Sequence, residues 1–343
     1  MDRVLIVTNS LSGGGAEYAA ELLYEELRQR QHNIFWIGIN SENPRKIPTD
    51  ERKISLDRDK SKGVIGTVFG FVRYIRFIFK NKISTIIINC ELPELYSAFV
   101  PKRLNLIVVE HANPSWFGRE FLGKIVRTMM RFRSSTFVVV GKHLTPRFIG
   151  SNSFLFVPNP IPHQNIESKV EVSGEIRRLL YVGRLSPHFK NPHKVVSLGI
   201  KCNLPSVLVG DGPLREELEN SAIELKADAT FLGFQEFPWE FYRDGDLLII
   251  PSSAEGDGLV LIEAMINGVP FLASDIPDFN RYGIDKINYC VDLAAFYERI
   301  QQNRHQIKKL VVPSKLVENI VEERSLIKIA DKWESIINNL EVH

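Results

Sequence analysis

Two glutamates and a glycine turn within PSSAEGDGLVLIEAMINGVPFLAS (251–274) have the spacing of a ligand site. Glu255 lies in the turn, Gly258 opens a short predicted helix, and Glu263 lies near the middle of that helix. The amides of a first helical turn have no partner within the helix, and with the helix dipole they attract anions such as phosphate. Carboxylates accept hydrogen bonds from hydroxyl groups. The stretch therefore suits a ligand that carries a diphosphate and hydroxyls, as a sugar nucleotide does.

A second candidate group, in VGRLSPHFKN (182–191), consists of cations. Arg184 follows Gly183 at the predicted end of a strand, and Lys190 lies in the next loop. Open α/β sheets bind ligands at the carboxyl ends of their strands, where an Arg and a Lys can neutralise a departing diphosphate. The alternative is a pair of ordinary surface cations. VGDGP (209–213) also places a glycine turn after a strand, and its simpler interpretation is the start of a helix.

The glycine-rich turn SLSGGG (10–15) lies between a predicted strand and a predicted helix. This order is the phosphate-binding start of a doubly wound α/β domain. Gly14 and Gly15 either let the backbone approach a ligand closely or simply allow the helix to pack on the strand. The spacing does not match G-x-G-x-x-G, and no convincing acidic strand end follows about 20 residues later, which argues against a nicotinamide dehydrogenase.

Strands and helices alternate along the chain, which predicts parallel sheets with helices on both faces. The polar segment 41–61 is predicted to be loop, and the proline-containing segment 156–173 an interdomain linker. In the first half, the predicted strands are 3–9, 34–39, 83–89, 104–109 and 136–141, and the predicted helices are 16–31, 63–82 and 117–133. A second α/β series begins near residue 178, and mostly helical segments end the chain.

The amino-acid composition limits the classes of protein to which the chain can belong. The chain has 343 residues, 44% hydrophobic and 24% charged, which is typical of a globular protein with two domains. No uncharged apolar run reaches about 18 residues, and no secretion signal is evident. The cysteines Cys90, Cys202 and Cys290 are scattered and odd in number. They favour a reducing compartment over a disulfide framework or a zinc site, so we expect a cytoplasmic protein.

Charge is distributed unevenly between the two halves. Residues 1–150 contain 23 Lys and Arg against 14 Asp and Glu, and the remainder contains 20 against 27. Two predicted helices carry basic rows, Arg73, Arg76 and Lys80 on one, and Lys124, Arg127 and Arg131 on the other. With their aromatic residues, these helices either contact an anionic membrane surface or are ordinary helices with a solvated basic face. No nucleic-acid recognition motif accompanies the charge, so nucleic acid is not an expected partner.

The motifs together resemble those of the GT-B-fold retaining glycosyltransferases of family four, also described as glycosyl transferases group 1. The resemblance covers most of the chain and is most specific in the block at 251–274. It is carried by that block and by GGGAE (13–17), YVGRLSPHFKN (181–191), VGDGPL (209–214) and FLGF (231–234). It implies two Rossmann-like doubly wound domains facing across a cleft. We place them at 1–160 for the acceptor and 161–325 for the nucleotide sugar, with a helix at 326–343 crossing back to the first.

The resemblance also implies roles for particular residues. Glu255 bonds the donor sugar, and Glu263 bonds the ribose. His111, in VVEHANP, faces the sugar from the N-terminal domain. The alternative interpretation is a histidine with a purely structural role in a loop. The implied diphosphate contacts are Arg184, Lys190 and the amides of Gly258, Leu259 and Val260; the implied nucleobase contacts are Leu232 and Phe234; Gly14, Gly15 and Gly183 are further expected donor-site residues. Two departures are noted: Asp257 stands where the family commonly has an aromatic residue, and Asp278 where a glutamate often occurs.

The implied reaction is retaining transfer of a sugar from a UDP- or GDP-sugar to a glycan or lipid-linked acceptor, as in bacterial surface polysaccharide or lipopolysaccharide assembly. A cofactor or essential metal is not expected. The D-x-D sequences at 57–59 and 244–246 resemble a metal-binding motif of another glycosyltransferase fold, but their contexts favour structural roles. Two alternatives remain open from the sequence: a sugar-nucleotide epimerase of similar architecture, and a binding protein without catalysis.

Overall fold

The computed structural model describes residues 3–40, 51–111, 115–133, 135–144, 154–161, 172 and 174–340. The chain forms two compact units, which we call the N-terminal unit (residues 1–163 and 324–343) and the C-terminal unit (residues 164–323). Each unit contains one sheet of parallel strands. The predicted α/β class with two doubly wound sheets is confirmed.

The N-terminal unit has a sheet that, over the described residues, contains seven strands. They are β1 (Arg3–Thr8), β2 (Asn33–Asn40), β3 (Lys53–Arg58), β4 (Thr85–Asn89), β5 (Asn105–Glu110), β6 (Thr136–Val139) and β7 (Phe154–Phe156). Their order is β3-β2-β1-β4-β5-β6-β7, so the strand order reverses between β1 and β4. Ligands bind outside the carboxyl ends of the strands at such a reversal. The helices are α1 (Gly15–Gln29), α2 (Gly63–Lys80), α3 (Glu91–Ser97) and α4 (Glu120–Phe132).

The C-terminal unit repeats this plan with six strands in its described part. The strands are β8 (Arg178–Val182), β9 (Ser206–Val209), β10 (Ala229–Gly233), β11 (Asp246–Ile250), β12 (Phe271–Ser274) and β13 (Tyr289–Cys290). Their order is β10-β9-β8-β11-β12-β13, with the reversal between β8 and β11. The helices are α5 (His193–Cys202), α6 (Arg215–Glu224), α7 (Leu259–Ile266), α8 (Pro277–Asn280), α9 (Leu293–Gln302) and α10 (Ser314–Glu323).

Helices cover both faces of the first sheet, because successive side chains of a strand point to opposite sides. Val4 and Ile6 of β1 belong to one core layer, together with residues of α1. Leu5 and Val7 belong to the opposite layer, together with residues of α2, α3 and α4. A last helix, α11 (Leu326–Asn339), follows the C-terminal unit in sequence but places Trp333 in the α1 layer. Among the described residues, no helix combines the length and apolar character needed to span a bilayer.

The prediction of loop at 41–61 was wrong for its second half, where β3 forms an edge of the sheet. Lys53 of this strand is buried, with its Nζ 3.2 Å from Glu21 Oε1 and 4.8 Å from the centre of the Trp36 ring. These partners come from distant elements, so the local sequence looks too polar for a strand. Residues 41–50 lie outside the described residues, as does most of the predicted linker at 156–173.

Candidate active site

The turn that leads from β11 into α7 has a backbone shape that requires glycine. Gly258 adopts a φ of 66°, in the left-handed region, immediately before α7. A Cβ atom at this position would lie 2.9 Å from the Phe279 ring. Leu261 is the first residue of α7 whose amide bonds back to the Gly258 carbonyl. The amides of Leu259 and Val260 therefore precede the intrahelical hydrogen bonds, which is the arrangement that attracts anions.

Lys190 and Glu255, which belong to separate sequence motifs, form an ion pair in the C-terminal unit. Lys190 Nζ lies 2.6 and 2.7 Å from the two carboxylate oxygens of Glu255. The Ser252 hydroxyl donates to one of these oxygens at 2.7 Å. The two loops are also joined through their backbones, since the Ser253 amide donates to the Phe189 carbonyl at 2.7 Å. The tertiary structure thus brings a cation from one loop to a carboxylate in the turn that precedes α7.

Arg184 lies in the same loop as Lys190 but does not take part in the Lys190–Glu255 ion pair. The side chain is exposed, and within the described part of the chain it has no hydrogen-bond partner. Its carbonyl accepts a hydrogen bond from the Tyr181 hydroxyl at 3.0 Å, and burial raises the pKa of that hydroxyl. Gly183 has a φ of 152°. Arg184 is therefore an available cation, and in the described structure no hydrogen bond or ion pair joins its side chain to Glu255.

Glu263 lies on α7 and accepts a hydrogen bond from the indole Nε1 of Trp239 at 3.2 Å. Trp239 belongs to a short 3₁₀ turn that follows β10. Leu232 lies near the end of β10, and Phe234 follows with an exposed ring. Trp239, which follows the residues implied for base binding in sequence, thus contacts the residue implied for ribose binding. Sequence reasoning missed this tryptophan, and its position a few residues after FLGF was the available signal.

The two departures from the family pattern have structural partners. Asp257 is buried and accepts a hydrogen bond from Arg281 Nη2 on its Oδ1 at 2.5 Å. The carboxylate of Asp278 is also buried, and its Oδ2 accepts the amide N–H of Glu255 at 3.1 Å. Neither Arg281 nor the Glu255 amide contact was identified from sequence, because both depend on α8 folding back against the turn.

In the N-terminal unit, the candidate residues lie at the carboxyl ends of their strands. Gly14 is the capping residue before α1 and Gly15 begins the helix, and the Gly14 carbonyl accepts the first helical bond from Tyr18 at 3.0 Å. His111 follows β5, with Nε2 2.7 Å from the side-chain oxygen of Asn89 at the end of β4. Residues 112–114 of the VVEHANP motif lie outside the described residues.

The basic row on α4 is only partly exposed, because its middle member, Arg127, does not face solvent. Arg127 is buried and ion-paired with Glu94 on α3, at 2.6 Å, and with Glu110 at the end of β5, at 2.5 Å. Burial raises the pKa of Glu110, and the Arg127 charge opposes that shift. Only Lys124 and Arg131 of the row are exposed. We call Glu94, Glu110 and Arg127 the buried triad.

In each of the two D-x-D sequences, an aspartate is already bonded to another residue of the chain. Asp59 accepts hydrogen bonds from the amide and hydroxyl of Ser61, and Asp246 pairs with Arg178 at 2.5 Å. Among the described residues, no group of three or more His, Cys, Asp or Glu side chains is placed to hold a metal ion.

Comparisons with known proteins agree with this architecture. The family model described as "Glycosyl transferases group 1" matches residues 163–322. The amylovoran biosynthesis glycosyltransferase AmsD of Erwinia amylovora is 25% identical over 98% of this chain and all of that protein. The lipopolysaccharide 1,6-galactosyltransferase of Escherichia coli K12 is 26% identical over 40% of each chain. The structure of HepE from Anabaena, in complex with UDP and glucose, superposes with a TM-score of 0.77 at 16% identity, covering 98% of this chain and all of that one.

The structural likeness, at such low identity, shows the fold alone. The family match covers the unit that holds Lys190, Glu255 and Glu263, and the alignment with AmsD extends over nearly the whole chain. The two parallel-sheet units and these matches show a GT-B fold, whose C-terminal unit is similar to the family described as glycosyl transferases group 1.

Proposed function

We propose that this protein moves a sugar, with retention at the anomeric carbon, from a UDP- or GDP-sugar to a glycan or lipid-linked acceptor. The observation that carries the proposal is the Lys190–Glu255 pair. The pair supports the proposal because it joins a cation to a carboxylate able to accept hydroxyl groups, in the turn that leads to the α7 amides. The names of two relatives, which mention amylovoran and lipopolysaccharide, support a role in bacterial surface polysaccharide or lipopolysaccharide assembly.

The donor diphosphate is the part of the substrate that needs cations. An ammonium group has three N–H donors, and Lys190 directs donors at two Glu255 oxygens, which leaves capacity for a phosphate oxygen. Negative charge grows on the diphosphate as the glycosidic bond breaks. Lys190, exposed Arg184 and the α7 amides therefore stabilise the transition state more than the ground state. Because these groups can supply the needed charge, the reaction is proposed to run without an essential metal.

Glu255 then binds hydroxyls of the donor sugar, held in place by Lys190 and Ser252. Glu263 binds the ribose, and the backbone near Leu232 and Phe234 binds the base. In this mechanism the departing phosphate accepts the proton of the attacking acceptor hydroxyl, so no protein carboxylate is required as a base. His111 and the Gly14–Gly15 turn are the candidate ligand contacts of the N-terminal unit, because both lie at carboxyl ends of strands.

A membrane partner is proposed for the helical layer of the N-terminal unit, at the inner face of the plasma membrane. Helices α2 and α4 bury one side against the same face of the sheet. Their outer sides expose Val68 and Phe69 on α2, and Phe121 and Ile125 on α4, beside exposed cations such as Lys124. Apolar side chains mixed with cations are complementary to an anionic bilayer surface.

A screen of UDP- and GDP-sugars tests the donor proposal, with released nucleotide and product mass as readouts. We expect nucleotide release that depends on one donor, persists in EDTA and yields an extended acceptor with a retained anomeric configuration. An altered nucleotide sugar without nucleotide release would instead identify an epimerase. Binding of a donor without any turnover would identify a non-catalytic binding protein.

Flotation with vesicles of phosphatidylglycerol tests the membrane proposal. We expect the protein to float at low salt, and the double variant F69S/F121S to remain at the bottom. Flotation of the variant to the same extent as the native protein would exclude this surface as the membrane contact.

A further inference from the structure

The segment from Asp278 to Tyr282, in and after α8, forms several hydrogen bonds to the turn that carries Glu255. Asp278 Oδ2 accepts the Glu255 amide at 3.1 Å, at the start of the turn. Arg281 Nη2 donates to the Asp257 carbonyl at 2.8 Å and also to the Asp257 carboxylate. The Tyr282 hydroxyl donates to the same carbonyl at 2.5 Å. One short segment therefore holds both ends of the turn that leads to the α7 amides.

The Phe279 ring, in the same segment, packs against the end of this turn. A Cβ atom at Gly258 would lie 2.9 Å from the ring, so the ring and the glycine backbone are in direct contact. The shape of the turn is thus set by a matching surface from outside and not only by its own sequence. A change in the segment would move Glu255 and the α7 amides together.

A second ion pair in the same unit shows how the Asp257–Arg281 pair differs from a purely structural one. Arg178 and Asp246 have exposures of 19% and 2%, against 17% and 2% for Arg281 and Asp257. Arg178 uses Nε and Nη2 in two bonds to the Asp246 carboxylate. Arg281 bonds its carboxylate through Nη2 alone, and its Nε and Nη1 are buried with no hydrogen-bond partner among the residues that the structure describes.

An arginine that stabilised the fold as effectively as possible would satisfy more of its donors. Within the described part of the chain, Arg281 leaves Nε and Nη1 unsatisfied and uses Nη2 for the carboxylate and the carbonyl of Asp257, both of which belong to the turn, and for the Tyr282 hydroxyl, which itself bonds that carbonyl. We propose that Arg281 is a positioning residue for the transfer reaction. Acting through Asp257, it holds the turn so that Glu255 and the amides of α7 meet the donor. This inference rests on the proposed donor reaction and assigns that reaction a residue from outside the motif.

The test compares Arg281→Met and Arg281→Lys with Arg178→Met in the full chain. Arg178 begins β8, and Asp246 begins β11, so this control removes an equally buried pair at the amino edge of the sheet. The readouts are the donor KM and kcat, and amide hydrogen exchange of peptides covering residues 254–260. We expect Arg281→Met to raise the donor KM about 10-fold to 100-fold, because small misplacements of binding groups are costly, and to speed exchange in the turn. Arg281→Lys should give an intermediate KM, and Arg178→Met should leave both readouts unchanged.

A lower folded fraction would reduce the apparent kcat at an unchanged KM, so a rise in KM separates positioning from general destabilisation. The inference is overturned if Arg281→Met keeps the native KM or native exchange in the turn, or if Arg178→Met raises KM equally. If the native protein releases no nucleotide from any donor, the proposed function fails. Exchange in the turn then decides by itself whether Arg281 holds the turn.

Discussion

Charged groups lie at the carboxyl edge of both sheets, but their exposure to solvent differs sharply. In the buried triad, the side chains of Arg127, Glu94 and Glu110 are 3%, 2% and 5% exposed. In the C-terminal unit, Lys190 is 30% exposed and Glu255 is 10% exposed. Both groups contain strong ion pairs, yet only one can be reached by a ligand.

The difference shows which charges can exchange partners. Separating a fully buried ion pair leaves an uncompensated charge in a medium of low polarity, which is strongly unfavourable. The buried triad therefore serves the fold: it joins α3, α4 and the end of β5, and Glu94 also accepts the indole N–H of Trp116 at 2.9 Å. A half-exposed lysine can transfer to a phosphate oxygen while remaining partly solvated, so the Lys190–Glu255 pair suits a substrate that arrives and leaves.

Breaking the buried triad should have the largest effect. Arg127→Met removes the cation and leaves two carboxylates buried, which we expect to lower the free energy of unfolding by about 3–5 kcal/mol. Urea unfolding measures this, with Lys124→Met on the exposed side of the same helix as control. Because the buried Glu110 already has a raised pKa, its neutral form is the better tolerated one. The stability loss should thus shrink as the pH falls below neutrality. An equal loss at every pH would contradict this account of the triad.

Removing the exposed cation should affect activity in preference to stability. Lys190→Met should reduce kcat on the order of 100-fold, as expected for a group that stabilises transition-state charge. Its unfolding free energy should change by less than about 1 kcal/mol, since ion pairs with solvent access contribute little. Lys308→Met, at an exposed site far along the same unit, is the control. A Lys190 variant with native kcat, or one that unfolds as readily as the Arg127 variant, would erase the contrast between the two regions.

Two glycines allow the same comparison at the level of the backbone. Gly258 and Gly118 have φ values of 66° and 72°, but a Cβ at Gly118 would meet nothing within 4 Å. Gly118→Ala should cost only the left-handed strain, about 1 kcal/mol. Gly258→Ala adds a clash with Phe279 and should cost about 2–3 kcal/mol while also raising the donor KM. Thermal unfolding and donor kinetics measure both effects, and equal losses for the two variants would show that the Phe279 contact is unimportant.

Much of the fold was predictable because buried strands and helices have characteristic local patterns of apolar residues. Apolar runs such as RVLIVT and TIIIN identified strands buried on both faces, and apolar residues at helical spacing identified α1. The strand β3 was not predicted, because Lys53 is neutralised by Glu21 and covered by Trp36, neither of which is near it in sequence. The candidate site was partly predictable for the same reason: the glycine turn, Glu255 before α7 and Glu263 within α7 all lie in one continuous block.

The sequence by itself determined the α/β class, the glycine at the start of α7, and Lys190 and Glu255 as candidates. These depend on residue type and short spacing, which the chain carries locally. Only the tertiary structure decided that Arg127 is buried although Lys124 and Arg131 on the same helix are exposed. It also decided that Arg281 bonds Asp257. In both cases the partner comes from an element that reaches the arginine only when the helices pack. Burial sets how strongly a charge interacts with its partners, and burial exists only after packing.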